Sequence, residues 1–196
     1  VSETAMPQGA HPTVTGDRGT RLWQPVLFRS MATLLFGIIT VFFGAPDTIG
    51  LCLNFGWYFL VLGLSHYWFV RRLALHRRDS RRLALLGAAA VLAVAGVVIF
   101  IAISAVLAAW LGAAALVLMG AAELFAALTS PRTQLRSDWL ISGVIGVGTG
   151  LLLPFFINAG PHALLGVTGG GALMTGALWL LSALTLRHDA RTPKGK

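Results

Sequence analysis

Charge is scarce in this chain. Of its 196 residues only 11% are Asp, Glu, Lys or Arg, with 7 acidic residues in all, whereas an ordinary soluble domain carries about a quarter charged residues. A water-soluble fold of this length would lack the polar cover its surface needs, so the soluble globular classes are excluded. Cysteine is almost missing as well: Cys52 stands alone, which excludes a disulfide framework. The chain has no HExxH, no CxxC, no Walker lysine and no Ser/His/Asp set at a shared depth, and His11, His76, His162 and His188 are scattered over tails and turns. These gaps argue against the common metal, nucleotide and hydrolase sites. We therefore expect no catalytic residue, no cofactor and no metal, and a protein that is not an enzyme.

What the chain does have is apolar length. A bilayer core takes about 20 apolar residues in helix. Val26–Ala45, Ile49–Val70, Trp139–Asn158 and His162–Leu184 each meet this, the first blemished only by Arg29. Leu83–Leu128 runs for 46 residues with Glu123 as its single charge. As one helix that run would be about 69 Å long, more than twice the membrane, so it must fold back on itself. The expected fold is an all-α membrane protein with six transmembrane helices.

A repeat locates the hidden turn. Gly63, Gly120 and Gly176 are spaced by 57 and 56 residues, and seven residues upstream of each lie Gly56, Ala113 and Gly169, all small. Seventeen residues upstream lie Pro46, Ile103 and Ala159; the first and last belong to the turn sequences Ala45-Pro46-Asp47 and Ala159-Gly160-Pro161. The middle turn then falls at Ile103-Ser104. Leu86-Gly87 and Ser142-Gly143 add a pair 56 apart, while the leading helix of the first hairpin is offset by about two turns. The spans are thus arranged as three helical-hairpin repeats, at 26–70, 83–128 and 139–184, within a membrane domain of residues 26–185. Residues 1–25 read as a disordered arm, and 186–196 as a basic tail. A cleaved signal peptide is the rival for the first segment, but cleavage near Ala45 would destroy the first repeat.

All 15 Lys and Arg residues fall on one side of this scheme. The other side has turns of only a few residues, which offer little room for charge. Cytoplasmic loops carry the basic excess, so both termini are expected in the cytoplasm and no nucleic-acid partner is needed to explain the charge of +8. Trp23, Tyr67, Trp68 and Trp139 fall at span ends, the headgroup level that amphipathic rings favour.

Within the first hairpin, Leu35-Phe36-Gly37, the turn Gly44-Ala45-Pro46, and Gly56 with Gly63 before a basic loop form a pattern that resembles the HdeD-type acid-resistance membrane proteins. The resemblance covers about residues 28–186, although the later hairpins lack the Gly-Ala-Pro turn. It implies a six-span bacterial membrane protein with a role in acid or general stress resistance. The expected setting is the cytoplasmic membrane, and the expected partners are the lipid bilayer and a protein partner or a second copy in a homo-oligomer. It carries over no catalytic residue.

Glu123 is the only acidic residue inside an expected span, and such residues tend to be kept for a purpose. Ala109, Ala113, Leu116, Gly120 and Ala127 share its face and are mostly small, so it should point into the bundle. It either forms an intramembrane titratable pair with His66, the equivalent position after Gly63, or reaches the interface and pairs with Arg132 or a loop arginine. Trp179 holds the same position after Gly176. The alternative for His66 is a backbone hydrogen bond, or a place among headgroups beside Tyr67 and Trp68. Arg71, Arg72, Arg77, Arg78, Arg81 and Arg82 set the topology and are candidates for contact with anionic lipid headgroups. Gly146-x3-Gly150 and Gly166-x3-Gly170 suit close helix packing, and Asn54, Thr40, Thr149, Thr168 and Thr175 suit bonds between helices. The competing function is a small proton-coupled transporter or channel component using Glu123, which requires a polar interior path continuing beyond that residue.

Overall fold

The structure, a computed structural model, describes residues 16–73, 75–76, 78–130 and 135–191. It is all-α, with α1 (Gly16–Phe42), α2 (Thr48–Arg72), α3 (Ser80–Ala102), α4 (Ala105–Leu128), α5 (Arg136–Leu152, continued by a 3-10 turn, Leu153–Ala159) and α6 (Pro161–Arg191). Among the described residues six helices are long and apolar enough to cross a membrane. Helix α1 begins at Gly16, inside the stretch expected to be a disordered arm; residues 1–15 and 192–196 lie outside the described residues. The chain enters α2, α3 and α4 through side-chain caps, with Asp47 accepting from Gly50 N, Asp79 from Arg81 N and Ser104 from Leu107 N.

The turn between α3 and α4 is Ile103-Ser104, where the repeat puts it. Ile103 sits there at φ 43°, a left-handed conformation that a β-branched residue strongly resists. Ile103→Asn should therefore raise stability by about 1 kcal/mol, measured as an upward shift of the unfolding midpoint in detergent.

The closest helix pairs are not the hairpins. A Cβ added at Gly96 would lie 2.7 Å from Gly56 O, and one at Gly150 would lie 2.8 Å from Ala113 O; at Gly37 the same atom is 3.1 Å from Gly169 O. Thus α3 packs on α2, α5 on α4 and α1 on α6, each through an equivalent glycine, and the last contact closes the bundle into a ring. Lipid tails are as apolar as leucine, so close backbone packing replaces the hydrophobic drive. Within the first hairpin, Phe36 stacks on Tyr58 at 3.9 Å.

The glycine contacts correct three expectations. Gly37 to Gly56 and Gly150 to Gly169 are both 19 residues, so the first and third hairpins agree and the expected two-turn offset is absent. The middle hairpin is the odd one, with 17 residues from Gly96 to Ala113 because its turn is short. Accordingly Ala89, not Gly87, matches Gly143: Gly63 meets Ala89 O as Gly120 meets Gly143 O, and Gly87 faces open space. Gly166 and Gly170 also face open space, while Gly169 and Gly171 make the approaches, to Thr40 and Thr149.

Candidate functional site

Three positions that the repeat makes equivalent, His66, Glu123 and Trp179, converge on one side chain from α1. Arg29 Nη2 donates to Glu123 Oε1 at 2.6 Å, and Nη1 donates to His66 Nδ1 at 3.1 Å. The guanidinium carbon lies 4.5 Å from the Trp179 ring centre, a cation–π contact. Ser142 Oγ, from α5, donates to Glu123 Oε2 at 2.5 Å. Arg29, Glu123 and His66 are 6%, 1% and 0% exposed, so a paired charge and its neighbours are sealed between α1, α2, α4, α5 and α6.

Glu123 points inward, on a face where Ala109, Ala113, Leu116, Gly120 and Ala127 are buried with it. It does not touch His66 directly; Arg29 stands between them. Because a guanidinium only donates, His66 Nδ1 must accept, which places the ring proton on Nε2. Among the described residues that Nε2 is buried without a hydrogen-bond partner, as are Trp139 Nε1 and Trp179 Nε1. All three rings lie around Phe69, at centre distances of 5.9, 6.4 and 6.1 Å. Trp139 is therefore a core residue, not a headgroup anchor. A charge at membrane depth costs a few kcal/mol, and pairing Arg29 with Glu123 offsets it for both.

Beside this cluster is a cavity of about 40 Å³ whose lining mixes apolar residues such as Leu62, Leu116 and Met119 with Glu123, Arg29 and the hydroxyl-bearing Thr33, Tyr58, Ser142, Thr149, Thr168 and Thr175. It has room for roughly three waters. Thr33, Thr168 and Thr175 donate to carbonyls of their own helices, at Arg29, Leu164 and Gly171, which leaves their oxygens free to act only as acceptors. Thr149 lies seven residues beyond Ser142 on α5, so the polar lining continues about 10 Å further from the basic end. Thr40 and Asn54 also bond within their own helices, to Gly37 O and Gly50 O. For Thr40, Asn54, Thr168 and Thr175 the expected bonds between helices are thus replaced by local ones, because a carbonyl one turn back is the nearest acceptor in an apolar medium.

Among the loop arginines, Arg71, Arg72 and Arg78 are exposed. Arg71 and Arg72 lie over Tyr67 and Trp68, at 5.6 and 5.8 Å from the ring centres. Arg81 is instead tied to Asp79 at 2.6 Å and to Ser130 Oγ at 2.5 Å, joining the start of α3 to the end of α4. The hydrogen bond from Arg81 holds the Asp79 carboxyl below its ordinary range. The pair is therefore intact at neutral pH and is lost as pH falls through that lowered value. Arg82 is partly buried; Arg77 and Arg132 lie outside the described residues.

Arg29 is the residue that sequence reasoning undervalued. Near a span end it reads as an interfacial charge. The available signal was that Arg29 and Glu123 are the two charges within the apolar runs.

The family model described as a short repeat of unknown function, DUF308, matches twice, over residues 28–101 and 85–155. No curated protein and no solved structure matches the chain.

Proposed function

Because the chain belongs to the DUF308 family of short repeats, we propose that it is an HdeD-like multi-pass protein of the bacterial cytoplasmic membrane. In this reading both termini are cytoplasmic, no reaction is catalysed, and the role is in acid or general stress resistance through contacts with lipid or a protein partner. The single observation that carries the reading is the buried Arg29–Glu123 pair with His66 on the same guanidinium. Protonating Glu123 would remove the charge that holds Arg29 inside the membrane and loosen the point where the repeats meet. Glu123 is faced by Arg29 of α1, His66 of α2, Ser142 of α5 and Trp179 of α6, with Tyr58 across the cavity. Glu123→Gln mimics the protonated form. It should lower survival of acid challenge in a strain that depends on this protein, at unchanged membrane abundance. Unchanged survival at normal abundance would remove this role for the cluster.

A second reading is favoured by the cavity beside Glu123, which several hydroxyl-bearing residues border: a proton-coupled transporter or channel component in which Glu123 exchanges protons with water on its Ser142 side. Purified protein in liposomes loaded with a pH dye tests it, since this reading requires proton flux above that of the Glu123→Gln variant.

A further inference from the structure

The basic end of the bundle carries a crevice that the acid-resistance reading does not use. It lies between the first turn of α5 and the last third of α6, has a volume of about 260 Å³, and is walled by Leu135, Leu178, Leu181 and Leu186. Its polar side is made of Ser137, Asp138, Ser182 and Thr185. Thr185 donates its hydroxyl hydrogen to Leu181 O at 3.0 Å, so its oxygen offers an acceptor, while the Ser182 hydroxyl has two acceptors in reach, Leu178 O at 3.1 Å and the Asp138 carboxylate. Asp138 is partly buried, with Ser182 as its hydrogen-bond neighbour, and among the described residues no basic group pairs with it. A carboxylate with hydroxyl oxygens calls for a cationic donor, and the leucine walls call for an apolar body.

The surroundings say where such a molecule comes from. Leu181 is 65% exposed on the face a bilayer would cover, so the crevice opens toward lipid at the end where the arginines gather. The first turn of α5 borders it, and among the described residues no side chain caps that turn; backbone N–H groups at a helix start attract phosphate. Arg136 is exposed beside them. Ammonium acceptors and phosphate donors thus stand side by side.

We propose that this crevice binds an ethanolamine phospholipid, its ammonium on Asp138, Ser182 and Thr185, its phosphate at the start of α5, and its glycerol and upper acyl chain against Leu178 and Leu181. A trimethylated choline head cannot donate hydrogen bonds, and a glycerol head brings no cation for Asp138. The proposal rests on the membrane reading alone and is independent of any role in acid survival.

The test uses the full chain, delipidated in detergent and exposed to equal amounts of phosphatidylethanolamine, phosphatidylcholine and phosphatidylglycerol, with retained lipid counted by native mass spectrometry. The expected result is a preference of about tenfold for the ethanolamine over the choline lipid, the ratio that one charge-assisted hydrogen bond commonly gives. Asp138→Asn and the crevice-filling Leu181→Trp should each abolish that preference. Two variants are used so that misfolding of one leaves the other to decide. Equal retention of ethanolamine and choline lipids, a preference for the glycerol lipid, or an ethanolamine preference that survives in a folded variant would each overturn the proposal.

Discussion

Arg29→Ala is expected to cost the folded bundle about 3–5 kcal/mol, the usual penalty for leaving one member of a buried ion pair without its partner. The variant strips Glu123 of the one cation that pairs with it among the described residues, His66 Nδ1 of its donor and Trp179 of its cation in a single step. Equilibrium unfolding in mixed micelles at neutral pH measures the loss. The double variant Arg29→Met with Glu123→Leu should recover most of it, since an apolar pair of similar volume avoids the desolvation that made pairing necessary. Arg29→Lys should fall between the two, because an ammonium is a point charge and cannot fork to Glu123 and His66 while lying flat on Trp179. An Arg29→Ala protein as stable as the wild type would show that the cluster is not what joins the repeats.

Gly96→Val should be nearly as damaging, through packing instead of charge. Even a methyl group at Gly96 would sit 2.6 Å from Leu60 N and 2.7 Å from Gly56 O. Both are backbone atoms of α2 and cannot swing aside, so the two helices must part. Overpacking of this kind commonly costs 1–3 kcal/mol even where side chains can adjust, and about 3 kcal/mol or more is expected here. Gly87→Ala is the matched control on the same helix: nothing lies within 4 Å of the new carbon. It should be neutral or slightly stabilising, since alanine is the better helix former by about 1 kcal/mol. Monodispersity on size-exclusion chromatography, read with the unfolding midpoint, separates the two. Equal behaviour of both variants would contradict the α2–α3 packing.

The spans and the turn at Ile103-Ser104 were legible because lipid imposes a length, and because Gly63, Gly120 and Gly176 mark one position three times. The inward direction of Glu123 was legible from the small residues on its face. Spacing along the chain does not reveal which helices lie closest, however. The tight pairs run between successive hairpins, and the two-residue shift of α3 emerges only when Gly96 is set against Gly56. Arg29 was misjudged for a related reason. A long basic side chain near a span end can reach either the headgroups or the interior, and only the position of α4 and α6 decides between them. The crevice at Asp138 arises from the separation of α5 and α6, which no residue pattern announces.

The ring closed by α1 against α6 has a consequence for biogenesis. The segment bearing Arg29 is synthesised before any of the groups that later surround it: His66 follows by 37 residues and Glu123 by 94, with Trp179 later still. During insertion the newborn first hairpin therefore holds a guanidinium that lacks its carboxylate until the fourth span has entered. Its placement near the basic end lets the side chain wait at the bilayer rim, so final docking of the first span belongs to the end of assembly.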